Sequence, residues 1–243
     1  MTRIFLSAAI LAAILIASTA VSAEESRKAA LGRDLQTFTQ YNTMLIEKYN
    51  SDSDLMLRID DLDALIDEYR AGSLSADELR GETRRRATAI ESDIHLLEAE
   101  LEAMPPLPTS SLPETQGLAK AVAAFRAYVK EMPESLRQHL KLIEQSSAAV
   151  LAGDETRYQA LLREQFKFLA DQVDGETAVL RVQVELIDPK SFIAPLQHCV
   201  MHHNNAWSAL LRSWADAEEI DLTAVIEVMA EHLEKADLAR RNG

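Results

Sequence analysis

Residues 75–104 read SADELRGETRRRATAIESDIHLLEAELEAM. Within them Leu79, Thr83, Ala87, Ile90, Ile94, Leu97, Leu101 and Met104 recur in alternating steps of four and three, the spacing of a coiled-coil-like seam. Ser75-Ala76-Asp77-Glu78 just before it is a capping box, in which the Ser hydroxyl accepts from the third helical amide and the Glu carboxylate reaches back. A helix with one apolar stripe has to bury that stripe against another element. The stretch therefore predicts a bundle.

Working outward, the same period extends almost from end to end. Toward the N-terminus, residues 25–50 place Leu31, Leu35, Phe38, Leu45 and Tyr49 on one stripe. Ser51-Asp52-Ser53 then offers an N-cap, predicting a break before a second helix with Leu55, Ile59, Leu62, Ile66 and Tyr69 that stops at Gly72. Toward the C-terminus, Pro105-Pro106-Leu107-Pro108 must end the helix, because prolines lack amide donors and prefer extended backbone. Ser111-Leu112-Pro113-Glu114 reads as a second capping box that restarts it.

A fourth helix runs through Leu118, Val122, Phe125, Val129, Leu136, Leu140, Ile143 and Val150, with Pro133 predicting a kink or a split. Gly153-Asp154 supplies a stop and the next cap. A fifth helix carries Tyr158, Leu161, Leu162, Phe166, Leu169 and Val173. Its end alternates as a strand would, at Leu180, Val182, Val184 and Leu186, but a lone strand has no partner here, so helix is the reading. A sixth helix spans about 192–217, and Asp221 caps a last one with Val225, Val228, Met229 and Leu233. The fold expected is all-α: an antiparallel up-down bundle of about seven helices with a coiled-coil-like N-terminal part. The domain reading is a leader at 1–23, helices over 24–104, a Pro/Ser linker at 105–113 and a helical bundle over 114–243.

The leader reading rests on Met1-Thr2-Arg3, an apolar stretch from Ile4 to Ala17, and the small-residue exit Val21-Ser22-Ala23. That order is a secretory signal peptide, cut after Ala23. The expected location is extracytoplasmic, periplasmic in a Gram-negative cell. An uncleaved anchor is the alternative, since the run is about long enough to cross a bilayer. No later stretch is, so stable membrane insertion is not expected after cleavage.

With 25 Lys and Arg against 39 Asp and Glu, the formal net charge is −14. Such a chain repels phosphate backbones, which argues against nucleic acid. Arg84-Arg85-Arg86 is a local basic run among Glu78, Glu82 and Glu91, and reads as a solvated helix face. With one cysteine, Cys199, no internal disulfide framework exists and packing alone holds the fold.

Gln197-His198-Cys199-Val200-Met201-His202-His203 is the chemically unusual stretch. His198/His202 and Cys199/His203 are each four apart, so both pairs project from successive turns at chelating distance. Imidazole and thiolate suit zinc or copper, and Met201 adds a soft thioether. The stripe Leu196, Val200, Trp207, Leu210 and Trp214 places His203 in its middle and Cys199 beside it, with His202 and His198 turned outward. Further ligands would have to come from His95, His139, His232 or carboxylates. The competing reading is packing: cysteine often behaves as a small hydrophobe, and a histidine in an apolar stripe more often bonds a neighbour than a metal.

Covalent haem needs Cys-x-x-Cys-His, and a ferritin-like di-iron site needs Glu-x-x-His; the chain has neither. Haem held without covalent bonds between a Met and a His needs no motif and stays open. No phosphate-binding glycine loop, dinucleotide fingerprint or nucleophile elbow occurs. The expected function is a non-catalytic binding or scaffolding protein that engages a protein partner or itself. The alternative is a zinc, copper or haem protein centred on His198, Cys199, His202 and His203.

Overall fold

The computed structural model describes residues 25–186 and 193–217, with side chains over 27–186 and 200–217. The expected leader, the expected last helix and His232 lie outside the described residues. Five α-helices and one 3-10 turn occur among them: α1 Glu25–Arg70, α2 Ala76–Glu102, the turn Pro113–Thr115, α3 Gln116–Leu151, α4 Glu155–Val184 and α5 Ile193–Ala215. No strand occurs among the described residues, and none of their helices is long and apolar enough to cross a membrane.

α1 corrects the first expectation. The break at Ser51-Asp52-Ser53 does not form, and 46 residues run as one helix, about 70 Å long at 1.5 Å per residue. The two serines do not cap. Ser51 Oγ donates to the Glu47 carbonyl at 3.1 Å and Ser53 Oγ to the Tyr49 carbonyl at 2.9 Å, the bond a hydroxyl makes inside a helix. The buried stripe passes straight through the polar triplet: Leu45, Tyr49, Asp52, Met56, Ile59 and Ile66 are all buried. Tertiary register decides the matter over a local polar signal.

α1 ends as expected. Gly72 takes φ 76°, and the Ser73 amide reaches back to the Glu68 carbonyl at 2.9 Å, closing a Schellman turn. Gly153, at φ 69°, repeats the device, with the Asp154 amide on the Ala149 carbonyl at 2.9 Å. The Ser75/Glu78 capping box forms in both directions, and α2 buries Leu79, Thr83, Ala87, Ile90, Ile94, Leu97 and Leu101, the seam read from the sequence except Met104, which lies past the helix end and is half-buried. Asp154 caps α4 through the Arg157 amide at 2.9 Å.

The second capping box does not form. Leu112, with no side-chain cap bond, precedes the 3-10 turn. Ser111 turns instead to α1, where Asp34 accepts from the Ser111 amide at 2.9 Å, the Ser111 hydroxyl at 2.7 Å and the Thr115 hydroxyl at 2.7 Å. Burial raises the Asp34 carboxyl, but these donors together hold it below its ordinary range. Tyr41 Oη donates to the Pro105 carbonyl at 3.2 Å and Arg27 pairs with Glu114, so the whole Pro-rich connection is tied to α1.

Pro133 does not split α3, which continues through it with Pro133 itself buried. The alternating end of the fifth predicted helix is helical through Val184, and it buries Val179, Leu180 and Gln183 at helical rather than strand spacing. α1, α2 and α3 pack mutually, α4 lies on α3, and α5 lies on α4. One hydrophobic cluster joins buried side chains of α1, α2, α3 and α4, on both sides of Pro105–Pro108. Its aromatic centre is Tyr49 edge-on to Phe125 at 5.8 Å, with the Tyr49 hydroxyl on Glu176 at 3.0 Å.

Candidate functional site

The predicted His/Cys cluster lies on α5. His198 and Cys199 are on its helical backbone, and their side chains lie outside those described. His202 is exposed, and His203 is half-buried and engaged with a neighbour.

The buried face of α5 is not the predicted one. Asn204, Ser208, Leu211 and Ala215 are 2–5% exposed, whereas Val200, His203, Trp207, Leu210 and Trp214 are only half-buried. The stripe is thus displaced by one residue, about 100° around the helix. The physical cause is the contact with α4. Small side chains at 204, 208 and 215 permit close approach of the two helices, and polar partners wait on α4: Ser208 bonds Asp174, while Arg212 reaches Asp171 and Asp174 at 2.7 Å each. Arg163 Nε closes the end on the Ala217 carbonyl at 2.8 Å.

The displaced aromatics form a shoulder beside that contact. Trp207 and Trp214 meet edge-to-face at 6.2 Å, and Trp214 meets Phe166 of α4 edge-to-face at 5.5 Å. Leu210 is half-buried on the same side of the helix.

The histidines proposed as remote ligands have other partners. His95 is 64% exposed and sits among Glu91, Glu98 and Arg137, its Nε2 3.3 Å from Glu91. His139 is sealed in the core at 3% exposure. Its Nδ1 is 2.9 Å from Met56 Sδ, its ring is 5.1 Å from Phe168, and its Nε2 is 3.8 Å from Asp60. Burial pushes its pKa down to about 4, so the ring is neutral at ordinary pH. The contact puts a methionine and a histidine side by side in a bundle. At metal–sulfur and metal–nitrogen lengths of about 2.3 and 2.0 Å, ligands on opposite sides of an ion stand about 4.3 Å apart, so this pair does not have the spacing of two ligands on opposite faces of a haem iron. No group of three or more His, Cys, Asp and Glu side chains suited to a metal occurs among the described residues.

Sequence reasoning missed the charged pocket around Asp63 on α1. Burial, then Asp67 and Asp60, push its carboxyl up to about 6, and its Oδ1 is buried without a hydrogen-bond partner. Tyr158 of α4 lies close by, its hydroxyl pushed up to about 12 by burial first and then Asp63. The Arg70 guanidinium sits 4.8 Å over the Tyr158 ring. The sequence signal was slight: Asp60, Asp63 and Asp67 repeat at helical spacing one residue round from the apolar stripe of Ile59, Leu62 and Ile66.

No family model matches the chain, and no curated protein or solved structure matches it either.

Proposed function

We propose that the chain is an exported, non-catalytic helical-bundle protein that binds a protein partner through the shoulder of α5. The single observation carrying this reading is the edge-to-face pair Trp207 and Trp214 held half-exposed beside the α4/α5 contact. Tryptophans presented on a rigid helix give large contact area at little entropic cost, and they dominate many protein interfaces. The net charge of −14 disfavours a second copy and favours a partner with a basic surface. The leader at residues 1–23 directs the chain out of the cytoplasm, into the periplasm of a Gram-negative cell, with the exported protein beginning at Glu24.

An antiparallel up-down arrangement accompanies this reading. Cross-helix pairs support it, because numbering rises on one helix as it falls on the next: Lys48 with Glu100 and Arg58 with Asp93, or Gln165 with Ser146 and Gln172 with Ser135.

A photo-crosslinking residue at position 207 or 210, expressed in the native host, should yield one discrete adduct. That adduct should weaken with added salt and vanish in Trp214→Ala. Adducts from exposed α2 positions alone, or turnover by purified protein on a screened substrate set, would overturn the reading. N-terminal sequencing of the exported chain tests the leader separately.

A further inference from the structure

A groove of about 390 Å³ opens between α2 and α3, within the size range of small-molecule sites. Its floor carries two buried hydroxyls, Thr83 and Ser147, 3.4 Å apart. That contact is long for an O–H···O bond and leaves both hydroxyls with capacity for another partner.

The rim carries unmatched charges of both signs. In the basic run, Arg85 and Arg86 are both tied to Glu82, at 2.6 and 2.7 Å. Arg84 turns to the groove and has no ion pair among the described residues. Arg80, also on the rim, shares its charge with the exposed Asp77 at 2.8 Å. On the α3 side, Glu144 has no cationic partner among the described residues. Burial and the neighbouring charge of Glu91 push its carboxyl upward, which is the condition of an anion short of a counter-ion. Leu151 makes one end of the groove apolar.

A guanidinium lacking an anion, a carboxylate lacking a cation, hydroxyls between them and an apolar end describe the complement of one chemical class. We infer that this groove binds a small zwitterionic peptide of about dipeptide size, its carboxylate on Arg84, its ammonium on Glu144, and an aliphatic side chain on Leu151. A simple dianion such as phosphate would answer Arg84 and Arg80 but leave Glu144 without a counter-charge. The site is separate from the α5 shoulder and does not depend on the function proposed there.

Titration calorimetry of the full exported chain with the dipeptide Ala-Leu tests this. Saturable heat is expected with Ala-Leu, and a loss of about tenfold in affinity with either its N-acetyl or its C-amide derivative, one charge-assisted contact being worth about that factor. Arg84→Ala and Glu144→Gln should each cost about tenfold as well, while Arg85→Ala leaves the affinity for Ala-Leu unchanged. Both groove positions are exposed, and dichroism of each variant establishes that it stays folded. No saturation up to about 10 mM, far above useful affinity, overturns the site. Equal affinity for the blocked peptides, or inorganic phosphate binding as well as Ala-Leu, overturns the zwitterion assignment.

Discussion

α2 and α5 are both single-stripe helices packed on a neighbour, yet only α2 buries the face its apolar residues mark. In α2 every seam position except Thr83 and Ala87 is a large aliphatic, and Leu79, Ile90 and Ile94 are buried to 1% exposure or less. Burying that face outweighs any rotation. In α5 the largest residues of the marked stripe are two tryptophans, which tolerate half-burial, while an adjacent row of Asn204, Ser208, Leu211 and Ala215 lets α4 come close and bond Ser208 and Arg212. Hydrophobic area places a helix face when the side chains are aliphatic. Close approach and charge pairing place it when they are not.

The largest expected effect breaks the α2 seam. Ile94→Ala, in a site with no exposure, should cost about 3–4 kcal/mol, read as a lowered midpoint in chemical denaturation. A cost below about 1 kcal/mol would mean that this seam is no better packed than the α5 shoulder. Next is close approach at α5. Ser208→Leu should cost about 1–3 kcal/mol by overpacking, whereas Ala209→Leu on the exposed side should be nearly neutral. The reverse order would restore the apolar stripe as the buried face.

The third prediction lies where α1, α3 and α4 meet, and uses pH. Asp63, at about 6 in the fold against 3.8, contributes stability that is complete below about 3.8 and lost as pH rises through about 6. His139, at about 4 against 6.5, contributes stability that is present above about 6.5 and lost as pH falls through about 4. The two oppose each other across the same window, with Asp60, Asp67, Arg70 and Tyr158 as the other titratable groups of the region. Asp63→Asn should therefore stabilise the protein by about 1–2 kcal/mol at pH 7 and steepen its loss of stability between pH 6.5 and 4. A flat profile in that variant would remove the proposed opposition. The smallest effect tests the shoulder: Trp207→Ala should cost only about 1 kcal/mol, well under the usual cost for a buried tryptophan, because the ring is half-buried. Thermal melts resolve it.

The sequence made much of this legible for physical reasons. The α2 stripe, the Ser75/Glu78 box, the glycine stops and the Asp154 cap are local devices, complete within one or two turns of chain. Where it misled, a local signal had a distant competitor. Ser51 and Ser53 satisfy their hydroxyls within the helix, and Ser111 finds Asp34 instead of its own turn. The candidate site was legible as a cluster on α5 but not in its orientation, since the neighbour that sets that orientation is invisible to a single-helix pattern. The Asp63 pocket escaped notice because three aspartates at helical spacing look like a solvated edge, which Asp60 and Asp67 are, and only packing against other helices buries Asp63 among them.

The Asp34 clasp carries a consequence for the order of folding. Its partners are 77 and 81 residues away along the chain, so the entry to α3 is secured only after a long loop has closed, late on the folding route. A chain emerging N-terminus first would present α1 and α2 well before that clasp could latch, leaving the segment between them and α3 as the last seam to be sewn.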